Sequence, residues 1–217
     1  MKHGMRHDSV LIETVRLRGG EAPLWGLHLG RLFRSCAELG VPPPLELAVP
    51  AGGPDRIHRL TVGARGVEVT ERPVGPTSPV DLITTSVVHR PYPHKTTGRS
   101  SFDRALADAR RAGADDAVML TEGAKVAECA IWSLFWWGEQ GELCTPALEL
   151  GVLPGVARDR IGALVPLRQQ SVGRDALDGR PLFVANAVRG VVSVKRFDGR
   201  LVPDFSATEP LRARFWG

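Results

Sequence analysis

Apolar positions along the chain alternate between short strand-like runs and two stretches with the spacing of an amphipathic helix. In "LHLGRLFRSCAELG" they recur every three or four residues until Gly40, and prolines follow at 42–44. The segment before Gly113 has the same spacing. We predict one helix in each segment, with apolar faces formed by Leu29, Leu32, Phe33, Cys36 and Leu39 and by Phe102, Ala105, Leu106, Ala109 and Ala112.

Runs rich in β-branched and apolar residues predict strands around these helices. The opening "SVLIETVRLRGGEAPLW" contains two such runs broken by Gly19-Gly20, which predicts a hairpin, and "RIHRLTV" with "GVEVTERPV" predicts another. Further strands are predicted in "VDLITTSVV", "DDAVML", "KVAECAIWSLFWW" and "LCTP", a helix in "VLPGVARDRIGALV", and a late strand and turn in "LFVANAVRGVVSV". Because the strands arrive in groups, we predict an α/β fold with mixed or antiparallel sheets.

Proline and glycine cluster in "GPTSP" at residues 75–79, between strand-like segments. This composition predicts a linker, with a small α/β domain over residues 1–77 and a larger domain over residues 78–217. No apolar run approaches the roughly 18 residues of a membrane helix, and the start "MKHGMRHDS" is too polar for a signal peptide. We therefore expect a cytoplasmic protein without a membrane partner.

Cysteine and charge usage exclude several other classes. Cys36, Cys129 and Cys144 are odd in number and lack CxxC spacing, so neither a disulfide framework nor a metal site is predicted, and the thiols are expected to be reduced and mostly buried. The net charge of +4 comes from arginines spread along the chain. Since no basic block is interleaved with aromatic residues, we predict no nucleic-acid partner.

Lysine is rare in a chain with 28 basic residues: only Lys2, Lys95, Lys125 and Lys195 occur. Lys95, in "PYPHKTTGRS", is a candidate for amine chemistry on a carbonyl group if it is partly desolvated, although a solvated surface lysine has the same sequence signature. Glu128, in "VAECAIW", is flanked by apolar residues. It is either a buried carboxylate that needs a cationic partner or an outward-facing residue of an edge strand.

Two further features predict a place for an anion. "LPGVAR" puts the amides of Val156 and Ala157 at the start of a predicted helix, where backbone N–H groups and the helix dipole favour negative charge. Arg31 lies on the polar side of its predicted helix, a position that is equally typical of a solvated arginine.

Taken in order, "LIETVRLRGG", "LHLGRL", "HKTTGR", "DDAVMLTEGAKVAECAIWSLFWW", "CTPALELGVLPGVAR" and "ANAVRGVVSV" cover nearly the whole chain. With these motifs the chain resembles the class IV aminotransferase family, the fold-type IV pyridoxal-phosphate enzymes, which include branched-chain and D-amino-acid aminotransferases and aminodeoxychorismate lyase. The resemblance implies a two-domain fold whose larger domain is a pseudo-barrel, a pyridoxal 5'-phosphate cofactor, a small-molecule amine substrate and a homodimer.

The resemblance also implies a role for each candidate residue. Lys95 matches the lysine that binds the cofactor covalently and transfers the proton, and Glu128 matches the carboxylate that pairs with the pyridine nitrogen. Arg31 matches the phosphate-binding arginine, and Val156 and Ala157 match the helix-start amides that bind the same phosphate. Further candidates are Ala187, beside the cofactor, and for the substrate carboxylate Arg99, Arg189 and Arg158.

Four positions depart from the family pattern. Gly98 and Ser133 stand where asparagine is usual, and Ala157 and Ala187 stand where a hydroxyl side chain is often found. Each lost neutral hydrogen bond costs about 0.5 to 1.5 kcal/mol, so two lost phosphate contacts predict cofactor binding weaker by roughly 5- to 100-fold. The chain also begins later than longer family members, which predicts a shortened small domain.

The secondary motifs "ECAIWSLFW", "HKTTGR" and "ANAVRG" are more similar to the lyase than to the transaminases. They favour a 4-amino-4-deoxychorismate lyase, which releases pyruvate and 4-aminobenzoate in folate biosynthesis. Two alternatives stay open at this point: an aminotransferase acting on branched-chain or D-amino acids, and a degenerate, non-catalytic relative.

Overall fold

A computed structural model describes residues 10–217, so the opening segment 1–9, on which the signal-peptide prediction depended, lies outside the described residues. The chain forms two compact units. Among the described residues, the smaller unit comprises residues 10–75 together with His94–Gly98, and the larger unit comprises Pro76–Pro93 and Arg99–Gly217. The domain limits predicted from the sequence place the segment 94–98 in the larger domain, whereas this segment lies with the smaller unit.

The smaller unit, over its described residues, is a three-stranded antiparallel sheet with one helix. The elements are β1 Leu11–Leu17, α1 Trp25–Leu39, β2 Arg56–Gly63 and β3 Gly66–Pro73. The strand order is β1-β2-β3, and β2 and β3 form the predicted hairpin. Its core contains Leu11 and Val62 from the sheet and Leu32 and Cys36 from the helix.

The hairpin predicted at Gly19-Gly20 is wrong. A turn is present there, because Arg18 and Glu21 bridge across it, but the run after the turn enters α1 instead of a strand. The partner of β1 is β2, which arrives about 40 residues later. The short run "APLW" does not reveal whether it starts a strand or the first turn of a helix, because such runs are compatible with both.

Helix α1 ends as predicted at Gly40, which has a left-handed φ of 67°. Its buried face is more polar than predicted, since His28, Arg31 and Ser35 are buried while Phe33 is 42% exposed. The buried side chain of Glu13 on β1 contacts both His28 and Arg31, and this explains why polar residues of the helix turn inward.

The larger unit contains nine strands in one sheet within the described residues. In chain order the strands are β4 Val80–Val88, β5 Asp116–Leu120, β6 Val126–Cys129, β7 Ser133–Trp137, β8 Leu143–Pro146, β9 Leu167–Gln170, β10 Leu182–Asn186, β11 Gly190–Phe197 and β12 Arg200–Leu201. Eight of them have the order β6-β5-β4-β11-β10-β7-β8-β9, and β12 pairs with β11. The sheet is mixed, since β4 pairs in parallel with β5 and β11 whereas β7 and β10 are antiparallel.

Three helices accompany this sheet: α2 Ser100–Arg111, α3 Val156–Leu164 and α4 Thr208–Arg214. The apolar face of α2 packs on β4 and β5, and Phe102, Ala105 and Ala109 are buried there as predicted. All three cysteines are buried, as predicted. Among residues 10–217, no helix combines the length and apolarity that a membrane crossing requires.

The run "KVAECAIWSLFWW", predicted as one strand, is divided into β6 and β7 by a turn over residues 130–132. Asp116 causes the division, because its buried carboxylate accepts hydrogen bonds from the backbone amides of Ala130 and Ile131 at 3.0 Å each. Amides that bond this carboxylate are taken out of a sheet ladder. The periodicity of the run cannot show this, since the acceptor comes from another strand.

Candidate active site

The segment that carries Lys95 pairs with the start of β1. The amide of Ile12 donates to the Lys95 carbonyl at 2.8 Å, the amide of Thr97 donates to the Val10 carbonyl at 2.9 Å, and Leu11 bridges Thr96. The backbone on both sides of Lys95 is thereby fixed to the sheet of the smaller unit, and the residue itself is half-buried. A lysine in this setting has the fixed backbone and partial desolvation that amine chemistry requires.

Arg31 is buried in the same unit, with an exposed fraction of 5%. Its Nε and one terminal nitrogen donate to the two carboxylate oxygens of Glu13 at 2.9 and 2.5 Å, and His28 Nδ1 lies 2.6 Å from Glu13 Oε2. Burial alone would raise the pKa of Glu13, but the Arg31 charge and the His28 and Arg31 hydrogen bonds outweigh it and lower the pKa to about 2. The solvated alternative for Arg31 is therefore wrong.

His28 connects the Arg31 network with Lys95. Burial lowers the pKa of His28, the hydrogen bond to Glu13 opposes this, and the charges of Arg31 and Lys95 lower it further. The imidazole is therefore neutral near pH 7, and Nδ1–H donates to Glu13. The smaller unit thus places Lys95 and the Glu13-paired Arg31 within electrostatic range of one histidine.

Glu128 lies on β6, buried with an exposed fraction of 8%. This excludes the outward-facing alternative. Within the larger unit its Oε1 is 2.9 Å from His89 Nε2 and accepts the Leu153 amide at 3.1 Å. A buried carboxylate that accepts hydrogen bonds from an imidazole and a backbone amide is suited to hold a cationic group of a ligand.

The start of α3 comes directly after the Leu153 contact. Gly155 is the extended residue before the helix, and within the described chain no side chain caps the helix. Val156 and Ala157 are buried at 1% and 2% exposure. A Cβ built on Gly155 would lie 3.0 Å from Ser133 Oγ, so glycine allows the close approach of this loop to β7. Buried first-turn amides without a capping side chain favour an anion.

Ala187 lies in the turn between β10 and β11, which Asn186 organises. The Asn186 side-chain oxygen accepts the amides of Val188 and Arg189 at 3.0 and 2.8 Å, and its Nδ2 donates to the Ile131 carbonyl at 3.4 Å. This turn therefore contacts the turn after Glu128. The sequence motif "NAVRG" is thus a β-turn as predicted, and it lies in the same unit as Glu128 and α3.

The three candidate arginines differ in what they contact. Arg99 donates to Asp103 and to the Ala130 carbonyl at 3.1 and 3.0 Å, and Arg158 donates to the Pro146 carbonyl at 2.6 Å. Arg189 stands half-buried with its guanidinium 5.9 Å from the Trp132 ring centroid. A substrate carboxylate would have to share Arg99 and Arg158 with these contacts.

The sequence interpretation missed two side chains that shape the site, His89 and Asp116. Burial raises the pKa of Asp116 to about 6, although three backbone hydrogen bonds oppose it. Asp116 belongs to the acidic pair in "DDAVML" and His89 ends "VDLITTSVVH", so neither stands out by spacing. A signal was nevertheless present, since an acidic residue at the start of an apolar run requires hydrogen-bond donors once it is buried.

Comparison with known proteins gives the family. The model of the family described as amino-transferase class IV matches residues 64–197, more than half of the 217-residue chain. The matched range contains Lys95, Glu128 and the start of α3, whereas Arg31 lies before it. Comparison with curated protein sequences found no match.

Solved structures give the fold. The branched-chain aminotransferase of Thermoproteus uzoniensis, solved with norvaline, is 21% identical, with TM-score 0.84 over 95% of this chain and 84% of its own. A Legionella pneumophila protein described provisionally as a 4-amino-4-deoxychorismate lyase is 20% identical to this chain, with a TM-score of 0.80; the match covers 94% of this chain and 89% of the Legionella chain. An aminotransferase of Brucella abortus, bound to PLP, is 21% identical to this chain, with a TM-score of 0.80; the match covers 97% of this chain and 89% of the Brucella chain.

These similarities confirm the predicted α/β class and fold type. The range matched by the family model extends from β3 to β11, and the structural similarity covers the same range. The chain belongs to the amino-transferase class IV family.

Proposed function

We propose that this protein is a pyridoxal 5'-phosphate-dependent enzyme and that its reaction is the lyase step that converts 4-amino-4-deoxychorismate into pyruvate and 4-aminobenzoate. The observation that carries the cofactor part of the proposal is the setting of Glu128. It is a buried carboxylate held within the larger unit by an imidazole and by a backbone amide that lies shortly before the start of α3.

The residues present fit this cofactor. A pyridinium nitrogen needs a buried carboxylate, and Glu128 provides one. A phosphate needs N–H donors and positive charge: the buried first-turn amides of Val156 and Ala157 would donate to it, and the family resemblance assigns the Arg31 guanidinium to it. An aldehyde needs an amine, and Lys95 provides it. Among the described residues of the larger unit, no hydroxyl side chain caps α3, so Ala157 adds only its amide.

When bound, pyridoxal phosphate supplies a ring that accepts the electron pair left on the substrate carbon after proton removal. Lys95 would hold the cofactor covalently at rest, and its freed amine would take the proton from the carbon that bears the substrate nitrogen. Glu128 would keep a proton at the ring nitrogen. Arg31 and the α3 amides would hold the phosphate, and Ala187 would lie beside it.

Lyase and aminotransferase differ in the step after proton removal. In the lyase the electron pair would break the C–O bond to the enolpyruvyl group, the released enol would take up a proton to become pyruvate, and the remaining ring would become aromatic as 4-aminobenzoate. In the aminotransferase Lys95 would return the proton, and the amino group would be kept for a second substrate, an oxo acid. The motifs around Glu128 and Asn186 support the lyase, whereas the family description and the Thermoproteus uzoniensis structure support an aminotransferase acting on branched-chain or D-amino acids as the second candidate.

The first test asks whether Lys95 binds the cofactor. We expect the purified protein to turn yellow with pyridoxal phosphate and borohydride reduction to fix the cofactor on Lys95, as read by peptide mapping. Lys125 and Lys195 serve as controls within the same digest, and a Lys95→Ala variant should take up no label. Unmodified Lys95 in saturated protein would favour the non-catalytic relative.

The second test separates the two reactions. With 4-amino-4-deoxychorismate we expect equal amounts of pyruvate and 4-aminobenzoate, and no glutamate when an amino acid and 2-oxoglutarate are supplied instead. Glutamate formation without pyruvate would exclude the lyase and support the aminotransferase. We also propose a homodimer on the strength of the resemblance, which sedimentation analysis of the purified protein can check, and a cytoplasmic location on the strength of the sequence analysis.

A further inference from the structure

His89 is a buried histidine to which the family comparison assigns no role. It comes directly after β4, and its side chain is 1% exposed. The backbone amide of His89 donates to the Leu120 carbonyl at 2.7 Å, and the ring meets the edge of Phe102 with centroids 6.1 Å apart and an interplanar angle of 85°. The imidazole is therefore held by the sheet on one side and by α2 on the other.

The hydrogen bond to Glu128 fixes the tautomer of His89. An ionised carboxylate has no proton to donate, so Nε2–H of His89 must donate to Glu128 Oε1 across the 2.9 Å contact. The other ring nitrogen, Nδ1, is buried and has no hydrogen-bond partner among the described residues. A second proton on Nδ1 would be a buried donor without an acceptor, which is costly. We infer that His89 is neutral when Glu128 is ionised.

A neutral donor has a particular consequence for Glu128. His89 and the Leu153 amide both bond Oε1, so they fix the carboxylate in one rotamer without adding a positive charge to it. A lysine or arginine in the place of His89 would orient Glu128 equally well, but its charge would compete with that of any cationic ligand. The other oxygen, Oε2, is not used by these two bonds.

We propose that His89 is a positioning residue that holds Glu128 toward the ring nitrogen of the cofactor without adding a positive charge of its own. This inference rests on the proposed function, because it assumes that Glu128 meets the pyridine nitrogen. It predicts that removing the His89 donor weakens the interaction with the ring nitrogen specifically. Contacts to the phosphate and the covalent link to Lys95 should be unaffected.

A cofactor analogue with carbon in place of the ring nitrogen, deaza-pyridoxal phosphate, isolates that interaction. Binding of pyridoxal phosphate and of the analogue is measured by spectroscopic titration for the wild type, His89→Leu, His89→Asn and His89→Gln. The wild type should prefer the natural cofactor. In His89→Leu and His89→Asn, which cannot place a donor at the Nε2 position, this preference should fall about tenfold. In His89→Gln, whose amide reaches that position, most of it should return.

His58→Leu is the matched control, since His58 on β2 also lies 2.9 Å from a glutamate, but this glutamate, Glu71, is 42% exposed. It should keep the wild-type preference. The positioning role is refuted if the His89 variants lose the same factor of affinity for pyridoxal phosphate and for the analogue, or if they keep the wild-type preference for the natural cofactor. His89→Asn and His89→Gln decide the question if the leucine variant does not fold. A wild type that binds both ligands equally would overturn the role of Glu128 too, while reductive labelling of Lys95 still tests the proposed function independently.

Discussion

Replacing Glu13 by glutamine should destabilise the protein by leaving the Arg31 charge buried without its counter-ion. Both side chains of the pair are at least 95% buried, with exposed fractions of 3% and 5%. The substitution keeps the shape of the side chain and removes its charge. The effect therefore reports on the electrostatic interaction and not on packing.

The expected magnitude can be worked from the pKa of Glu13. The folded protein lowers this pKa from its ordinary value of 4.5 to about 2, and a difference of about 2.5 pKa units corresponds to about 3 kcal/mol. Because the folded pKa is lower than the unfolded one, this stabilisation is complete above pH 4.5 and is lost as the pH falls toward 2. Removing one partner of a buried ion pair costs about 3 to 5 kcal/mol, which is the same magnitude as the stabilisation that follows from the pKa of Glu13.

Urea unfolding at pH 7 of the cofactor-free protein measures the effect. We expect Glu13→Gln to lose about 3 kcal/mol, while the double variant Glu13→Gln with Arg31→Met should lose only about 1 kcal/mol, because it buries no unpaired charge. Asp55→Asn is the control: its contact with Arg16 is 2.6 Å long, but Asp55 is 47% exposed, so the loss should be much smaller than for Glu13→Gln. A double variant as unstable as the sum of its single variants would refute the reasoning.

Three other outcomes are expected. Asp116→Asn should destabilise the turn after Glu128, and the loss should be larger at pH 5 than at pH 7 by about 1 kcal/mol. The folded protein raises the pKa of Asp116 from its ordinary value of 3.8 to about 6, so the wild type loses stability as the pH rises between these two values. Unfolding curves at both pH values check the sign. Gly40→Ala should cost about 1 kcal/mol for its left-handed φ alone, since a Cβ there meets nothing within 4 Å. Gly151→Ala should cost more than Gly40→Ala in the same thermal-unfolding assay, because its Cβ would lie 2.8 Å from Pro91.

Sequence periodicity predicted the elements whose signals are local. Helix α1 stops at Gly40 and the β2–β3 hairpin closes where the turn residues indicate, because capping and turn chemistry involve residues a few positions apart. The predictions failed where the deciding partner is distant in the chain. The first strand pairs with β2 and not across Gly19-Gly20. Strand β6 ends because the Ala130 amide donates to Asp116, which lies 14 residues earlier in the chain.

The same distinction holds for the candidate site. The family resemblance identified Lys95, Glu128, Arg31 and the start of α3 as candidates, and the structure adds the side chains that hold them. His89 could not be predicted, because its bond to Glu128 spans 39 positions. Arg31 looked solvated by helical periodicity, and only the buried Glu13 on another element reverses that interpretation. Residues that act through a distant partner carry no periodic signal.

The two buried glutamates show how similar residues can be prepared for different tasks. Glu13 accepts two hydrogen bonds from a guanidinium, so its charge is balanced within the fold and its role is to fix Arg31. Glu128 is bonded within the larger unit by a backbone amide and by an imidazole that we infer to be neutral, so neither donor balances its charge. Under the proposed function, this difference leaves Glu128 able to bond a protonated ring nitrogen, whereas both oxygens of Glu13 are already occupied by Arg31.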